Sequence, residues 1–470
     1  MRFVYEEHSN YTLFSANPEN EMESSGFRAQ GPYIPIQLND NRLIVKYISQ
    51  KKLHPDIIAA ICITAFYPFI HKRATMPFPV SKRFASGLQM DILPQHSKID
   101  GVYKATEPIE ITNIDENVEP YSMGENTVIA YGGGIDSTSI ACLFPEYDLI
   151  HSTDLNNNHN NNIIELFVYK HLDNNIHTIE SNCKKISLPN GFTTFTNIYI
   201  TPLIMSADLN IKNIMCGSIL GSSCLSNGSK YFPQFDEKRR NRWERFYNHI
   251  GINMFSPIAG CSELITSKIV CEHGLYDKVI YCDLNEGLPC NKCTKCLRKQ
   301  LELTYHGKIF TFEQYDKQCI TNFLKTQSLY FAHIFIEITK KLSEQDMNPN
   351  LKWIIQQFNN VIPKNKNTSF LNNIYSKSFS YFPEKIKQKI IEQLIKYSKC
   401  MTIEDEFNLE NWDISVNNTA EVTTTYSQEM IQGILHENTQ LKLENKRLQT
   451  NIDIFMKIID QINIARLEIT

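Results

Sequence analysis

The sequence lacks both an excess of positive charge and a long uninterrupted apolar run. Its Lys and Arg residues number 47 against 51 Asp and Glu residues, which gives a formal net charge of −4. This balance provides no global basic field of the kind that marks many nucleic-acid-binding proteins. The longest apolar run, at 57–70, is interrupted and too short to span a bilayer, and no basic-then-apolar signal opens the chain. These absences predict a cytoplasmic protein with no membrane partner.

The cysteines do not have the pattern of a disulfide framework. Their number is odd, 13, and four of them lie within residues 282–296. Such clustering indicates a metal site in a reducing compartment. A local basic run at 238–245 is typical of a solvated helix face, with binding of an anion as the alternative. The chain of 470 residues, 42% hydrophobic and 21% charged, is long enough for two or three globular domains.

An apolar strand, a glycine loop and a hydroxyl cluster follow one another at 126–139. Three adjacent glycines let backbone N–H groups turn inward where a Cβ would obstruct them, and the helix that begins near Asp136 directs its positive dipole end to the same point. The predicted phosphate contacts are Gly132, Gly133, Gly134, Ser137 and Thr138. The segment is neither a Walker loop nor a dinucleotide fingerprint, because no Gly-Lys-Ser/Thr closes it and its glycines are contiguous. The alternative is a tight strand-to-helix turn that is merely rich in glycine.

Four cysteines provide the second chemical signal. They are Cys282, Cys290, Cys293 and Cys296. This spacing lets four sulfur atoms converge tetrahedrally on one Zn²⁺ at about 2.3 Å each. Because the protein fills all four positions, such a zinc is expected to be structural. An iron–sulfur cluster and unrelated reduced cysteines are the alternatives.

The succession of candidate elements predicts an α/β fold. The strand, loop and helix that start at residue 126 precede a second candidate strand at 147–152, as in a βαβ unit. Further buried strands are predicted at 197–200, 211–216 and 278–282. Residues 121–307 are therefore expected to form a doubly wound parallel sheet. Such sheets bind ligands at the carboxyl ends of their strands, where the glycine loop lies.

The remaining segments predict further domains. Residues 1–120 indicate an α+β domain with a helix near 55–70, and residues 308–415 indicate a helical domain with breaks at Pro363 and Pro383. Residues 416–426 lack periodicity and are predicted to be a linker.

A coiled-coil helix is predicted at 427–470, where apolar residues recur at alternating three- and four-residue steps. Asn438 and Asn445 interrupt this seam, and such asparagines fix register and oligomer state at a cost in stability. The pattern favours a homo-oligomer or a protein partner. The alternative is an amphipathic helix that docks within its own chain.

The glycine loop resembles the Ser-Gly-Gly-x-Asp-Ser-Ser/Thr loop of the PP-loop ATP pyrophosphatase superfamily. Gly132 stands where that superfamily usually has serine. With the late cysteine quartet, residues 121–300 are similar to its 7-cyano-7-deazaguanine synthase branch. Cys216-Gly217-Ser218 resembles the branch's strand-end glycine near the substrate, and Leu264–Lys268 resembles its lysine-bearing helix.

The resemblance implies an adenine nucleotide alpha hydrolase-like fold and an ATP-dependent carbon–nitrogen ligase that uses Mg²⁺ and contains Zn²⁺. The implied catalytic residues are Asp136, Ser137 and Lys268, and Gly217 joins the loop in binding ATP. A surface position for Lys268 is the alternative. The asparagine and aspartate that the branch shows after its strand-end glycine are missing here, which favours a relative of that reaction with an unidentified acceptor.

Two other functions stay open. One is a PP-loop sugar amidotransferase of surface polysaccharide synthesis, although no glutaminase signature stands out in the chain. The other is a nucleotide-binding assembly module of a defence system.

Overall fold

A computed structural model describes most of the chain up to residue 414. The described residues are 1–19, 23, 25–26, 36–71, 73–92, 110–121, 124–155, 169–188, 194–225, 228–233, 242–282, 289–315, 320–321, 323–324, 331–343, 349–361 and 366–414. The chain divides into two units, Met1–Ser415 and Val416–Thr470. The predicted linker at 416–426, the predicted coiled coil at 427–470 and Pro363 lie outside the described residues.

The strands of the first unit form two sheets. They are β1 (Arg2–Glu7), β2 (Thr12–Asn17), β3 (Ser25–Gly26), β4 (Ile36–Leu38), β5 (Arg42–Val45), β6 (Arg73–Val80), β7 (Glu110–Ile114), β8 (Asn126–Tyr131), β9 (Asp148–Asp154), β10 (Ile176–Ser181), β11 (Ser187–Leu188), β12 (Ile211–Met215) and β13 (Asn253–Phe255). One sheet has ten strands in the order β13-β12-β8-β9-β10-β5-β2-β1-β6-β7, and the other has the order β11-β4-β3.

The helices are α1 (Pro55–Phe66), α2 (Lys82–Gly87), α3 (Ile135–Leu143), α4 (Thr194–Ile204), α5 (Leu220–Ser223), α6 (Arg242–His249), α7 (Glu263–Glu272), α8 (Thr294–Tyr305), α9 (Ala332–Ser343), α10 (Pro349–Val361), α11 (Glu384–Leu394) and α12 (Ile403–Glu410). Short 3-10 turns and one π-helical turn accompany them. None of the described helices has both the length and the apolar composition needed to cross a membrane.

The large sheet is mixed but mostly parallel. β13, β12, β8, β9 and β10 pair in parallel, and so do β1, β6 and β7. Antiparallel pairing links β10 to β5, β5 to β2 and β2 to β1. The protein is therefore α/β, and the sheet runs without interruption from the N-terminal strands to those that flank the glycine loop.

Strand β8 lies in the interior of the parallel region and is buried on both faces. Val128 and Ala130 belong to the core cluster that contains side chains of α1 and α4. Ile129 and Tyr131 belong to another cluster with side chains of α3 and α7. A strand covered by helices on both sides has a continuous apolar sequence, as β8 does from Val128 to Tyr131. The glycine loop thus leaves the sheet between two packed layers.

Several of the predicted elements are present in the structure, and two of the strand predictions are wrong. The predicted strands at 147–152 and 211–216 correspond to β9 and β12, and Pro383 is the N-cap of α11. The predicted strand at 197–200 is instead part of α4. Its β-branched and aromatic residues favour a strand locally, but the crossover between the parallel strands β10 and β12 requires a covering helix.

The predicted strand at 278–282 is also wrong. Val279, Tyr281 and Cys282 are buried there, which explains the apolar pattern. The segment nevertheless belongs to no named strand. The backbone N–H of Ile280 donates to the carbonyl of Gly133 at 3.0 Å, so the segment supports the glycine loop.

Candidate functional site

The glycine loop connects the carboxyl end of β8 to the first turn of α3. Gly133 has a φ of 76°, in the left-handed region that glycine adopts without a steric penalty. Gly134 is the N-cap of α3. The Ser137 hydroxyl donates to the Gly134 carbonyl at 3.2 Å and accepts from the Gly132 N–H at 3.3 Å. These local bonds hold the loop in a closed turn around the start of the helix.

The loop presents a row of backbone N–H groups without protein acceptors. Among the described residues, the N–H groups of Gly133, Gly134, Ile135, Asp136 and Ser137 donate no hydrogen bond. The next one, from Thr138, donates to the Gly134 carbonyl at 2.9 Å. Unsatisfied N–H groups at a helix start carry the positive end of the helix dipole and bind anions. The loop is therefore a candidate site for an anion.

Asp136 lies in the first turn of α3 and is half-buried. Its Oδ1 accepts a hydrogen bond of 2.9 Å from the Thr266 hydroxyl on α7. Within the described part of the chain, its Oδ2 accepts none. One carboxylate oxygen is therefore fixed, while the other is available to a ligand beside the row of N–H groups.

Gly217 follows the carboxyl end of β12 and lies close to the start of α3. A Cβ built on Gly217 would stand 3.3 Å from the backbone nitrogen of Ser137 and 3.5 Å from the Cβ of Asp136. The sequence predicts this glycine near the nucleotide, and the structure brings it to the start of α3. A larger side chain here would crowd the N–H groups.

Lys268, predicted to act on the nucleotide, makes its contacts elsewhere. Its Nζ donates to the Tyr397 carbonyl at 2.6 Å and lies 3.8 Å from the Glu272 carboxylate. Among the described residues, Lys268 makes no contact with the glycine loop. Thr266, two positions earlier, does reach Asp136. Residues two apart on a helix do not face the same side.

A different lysine, Lys299, interacts electrostatically with Asp136. Lys299 on α8 is only 5% exposed, and its Nζ lies 2.8 Å from Glu302, which is fully buried. Burial alone would lower the pKa of Lys299, but the negative charges of Glu302 and Asp136 outweigh it and hold this pKa above its usual value. Lys299 is therefore a buried ammonium whose charge acts on Asp136.

We expect Gly133→Ala to destabilise the protein for two separable reasons. The positive φ costs an alanine about 1–2 kcal/mol. In addition, its Cβ would stand 2.7 Å from Cγ1 and Cδ1 of Ile280, and such overpacking costs a further ~1–3 kcal/mol. Chemical denaturation measures the total loss in the free energy of unfolding. Gly274→Ala is the matched control, because Gly274 has a φ of 71° with no atom within 4 Å of its Cβ position.

The clash is isolated by repeating Gly133→Ala in an Ile280→Ala background. The cost of Gly133→Ala should fall there to that of Gly274→Ala. An equal cost in both backgrounds would contradict the packing of Ile280 beneath the loop.

The four predicted metal ligands converge. The sulfur atoms of Cys282, Cys290, Cys293 and Cys296 all lie within 4.8 Å of one another. The Cys282–Cys293 and Cys290–Cys296 sulfur distances are 3.9 and 3.8 Å. Four sulfurs bound tetrahedrally to one zinc at about 2.3 Å stand about 3.8 Å apart. The donor set therefore fits a tetrahedral metal ion such as zinc.

The backbone conformation between Cys290 and Cys293 helps to bring the four sulfur atoms together. Asn291 has a φ of 57°, a left-handed conformation that asparagine tolerates, and it turns the chain between Cys290 and Cys293. The Lys292 N–H points at the Cys290 sulfur at 3.4 Å. Burial opposes ionisation, but the N–H groups of Lys292 and Cys293 and the Cys282 thiol outweigh it and lower the pKa of Cys290 to about 7.

Comparison with known protein families gives a match over the second half of the described chain. Residues 242–413 are similar to the family described as "Family of unknown function (DUF6395)". The matched segment begins after the glycine loop and contains α7, the four cysteines and α8. None of the curated proteins matches the sequence.

Proposed function

We propose that this protein is an ATP-dependent adenylating carbon–nitrogen ligase related to the PP-loop ATP pyrophosphatases. One observation carries the proposal. The backbone N–H groups from Gly133 to Ser137 donate no hydrogen bond among the described residues, and Asp136, which belongs to this row, has an Oδ2 that accepts none. This combination suits a polyphosphate with an associated divalent cation.

The position of the loop in the sheet adds support. Going outward from β8, one side of the sheet continues with β9 and β10, and the other with β12 and β13. The strand order therefore reverses direction at β8. In doubly wound sheets, nucleotides bind at such a reversal, beyond the carboxyl ends of the strands. We propose a doubly wound PP-loop arrangement for this region on that ground.

In the proposed reaction, a carboxylate oxygen of the acceptor attacks the α-phosphorus of ATP. The bond from that phosphorus to the α,β-bridging oxygen breaks, and pyrophosphate leaves with the electron pair. The N–H groups of Gly133 to Ser137 stabilise the charge on this leaving group. An amine or ammonia then attacks the acyl carbon and loses a proton, and AMP leaves with the former carboxylate oxygen.

The two metals have different proposed roles. Mg²⁺ bound with ATP supplies positive charge that offsets the charge of the leaving pyrophosphate, and Asp136 would hold it. Zn²⁺ would be held by the four cysteines and would stabilise the fold, because four protein ligands leave no position for a substrate. Lys268 takes no part, since its ammonium contacts Tyr397 and Glu272.

The test is incubation of the purified protein with ATP labelled at the α-phosphate, with and without a mixture of small carboxylic acids and ammonium. Release of AMP and pyrophosphate supports a ligase. Release of ADP and phosphate would instead indicate cleavage between the β- and γ-phosphates and would contradict the proposal.

A second candidate is a nucleotide-binding module without turnover, as in an assembly of several proteins. Two observations favour it. Gly132 supplies no hydroxyl to the loop, and Lys268 makes its contacts with Tyr397 and Glu272. Tight ATP binding without any AMP release would support this candidate and exclude the ligase.

We expect Gly132→Ser to increase turnover, because it adds the hydroxyl that the related loops carry. A Cβ on Gly132 would have Ser137 Oγ as its nearest neighbour, at 3.9 Å, so the side chain fits. One added hydrogen bond to the charged phosphates is worth about 1.5–3 kcal/mol if it forms in the transition state, or roughly 10- to 150-fold in rate. Steady-state AMP release measures the change. Gly132→Ala is the control for backbone effects, and equal rates in the two variants would show that the hydroxyl makes no such bond.

A further inference from the structure

The residue that supports the glycine loop lies next to the first cysteine of the metal site. Ile280 donates its N–H to the Gly133 carbonyl at 3.0 Å. Its side chain fills the space where a Cβ of Gly133 would stand. Cys282 follows two residues later, so the two positions are at most about 7 Å apart along the chain. Fixing Cys282 on a metal therefore limits how far Ile280 can move from the loop.

A second connection runs through α8. Cys293 is the N-cap of this helix, and Cys296 lies in its first turn. Lys299 follows Cys296 by three positions, which places both on the same side of the helix. The Lys299 ammonium is paired with buried Glu302, and the charges of Lys299 and Asp136 attract each other. The start of α8 thus sets where the positive charge stands relative to the loop.

We propose that the four-cysteine centre positions the glycine loop through Ile280 and Lys299, so that metal and nucleotide bind cooperatively. Ile280 acts on the backbone of Gly133, and Lys299 acts on Asp136. Both are positioning residues, because neither is among the groups proposed to contact the phosphates. This proposal rests on nucleotide binding at the loop but not on the chemistry proposed above.

Cooperativity between two sites is reciprocal. If the metal tightens nucleotide binding by some factor, the nucleotide must tighten metal binding by the same factor. Coupling of this kind is typically between about 5- and 150-fold. The probes are zinc and an ATP analogue with a methylene bridge between the α- and β-phosphates, which cannot be cleaved there. We expect zinc removal to weaken binding of this analogue roughly tenfold, and the analogue to tighten zinc binding equally.

Two variants test the connections with the metal in place. One is Ile280→Ala. The other is the double variant K299M/E302M, which removes both charges of the buried pair and so leaves neither unpaired. Each should retain zinc and yet bind the analogue several-fold more weakly. The matched control is K387M/E384M on α11, whose ion pair has the same three-residue spacing, with a Lys387–Glu384 distance of 3.0 Å. It should bind the analogue as the unaltered chain does.

Hydrogen exchange supplies a readout that needs no nucleotide. If the proposal holds, zinc removal should speed amide exchange in α3, residues 138–143, and Ile280→Ala should do the same with zinc bound. Unchanged exchange in α3 after zinc removal would overturn the proposal, as would zinc-loaded variants that bind the analogue at full strength. If the chain binds no nucleotide at all, the proposed function fails, and the exchange result still decides whether the centre positions the loop.

Discussion

Replacing Asp136 with asparagine is expected to lower the rate of AMP and pyrophosphate release by roughly 10²- to 10³-fold, the loss typical of removing one group that stabilises transition-state charge. The substitution keeps the shape of the side chain and an oxygen that accepts the 2.9 Å bond from Thr266. It removes the negative charge that would hold Mg²⁺ and that helps to raise the pKa of Lys299. The effect should therefore appear in kcat, with the fold preserved.

Two further variants separate charge from orientation. Thr266→Val leaves the Asp136 carboxylate charged but removes the hydroxyl that fixes it, so its effect on kcat should be much smaller. Asp277→Asn is the control for a carboxylate away from the site, where the side chain is 50% exposed beside Lys278. Steady-state pyrophosphate release at saturating Mg²⁺ measures all three. Full activity of Asp136→Asn would show that the assignment of this residue is wrong.

The glycine loop and the cysteine quartet can be predicted from sequence because each is local. The loop needs only the succession of a buried strand, small residues and a helix start, and these are adjacent in the chain. The quartet needs only thiols close enough in sequence to reach one point, and their sulfur atoms do lie within 4.8 Å of one another.

The partners of the loop could not be predicted in this way. Ile280 and Lys299 approach residues 133–136 only after about 145 to 160 intervening residues have folded. The resemblance to the lysine-bearing helix of the 7-cyano-7-deazaguanine synthase branch points to Lys268, but the sequence does not reveal which helix face turns toward Asp136. The spacing of Cys296 and Lys299 does contain a usable signal. Residues three apart are neighbours on a helix surface, so a buried metal ligand at Cys296 predicts that Lys299 also points inward.

The sequence also does not predict that the N-terminal strands and the strands around the glycine loop form one continuous sheet. β10 meets β5 through a single registered pair, Ser181 and Val45. The side chain of Asn182 extends this junction, since its Oδ1 accepts from the Ile44 N–H at 2.7 Å and its Nδ2 donates to the Arg42 carbonyl at 2.8 Å. A side-chain amide that adds to the backbone bonds between two strands leaves no periodic pattern in the sequence.

Replacing Cys296 with serine should remove the bound metal and lower the free energy of unfolding by about 4–5 kcal/mol or more, as expected when a structural metal is lost. Cys296 is fully buried at the start of α8. Serine is a poor zinc ligand, so three thiolates would stay close together without the charge that offsets their repulsion. Elemental analysis of the unaltered protein, purified under reducing conditions, should give one zinc per chain, and a brown colour with iron would instead indicate an iron–sulfur cluster.

The control for this change is Cys400→Ser, because Cys400 is exposed and lies outside the cluster. It should leave the metal content and the unfolding temperature unchanged, whereas Cys296→Ser should lower both. The same unfolding temperature for the two variants, together with no metal in the unaltered protein, would mean that the quartet consists of reduced thiols without a metal. Because Cys296 also begins the helix that holds Lys299, a metal-free chain that remains folded should still lose affinity for nucleotide. Loss of the metal would thus weaken nucleotide binding at a loop that precedes the first of these cysteines by about 145 residues.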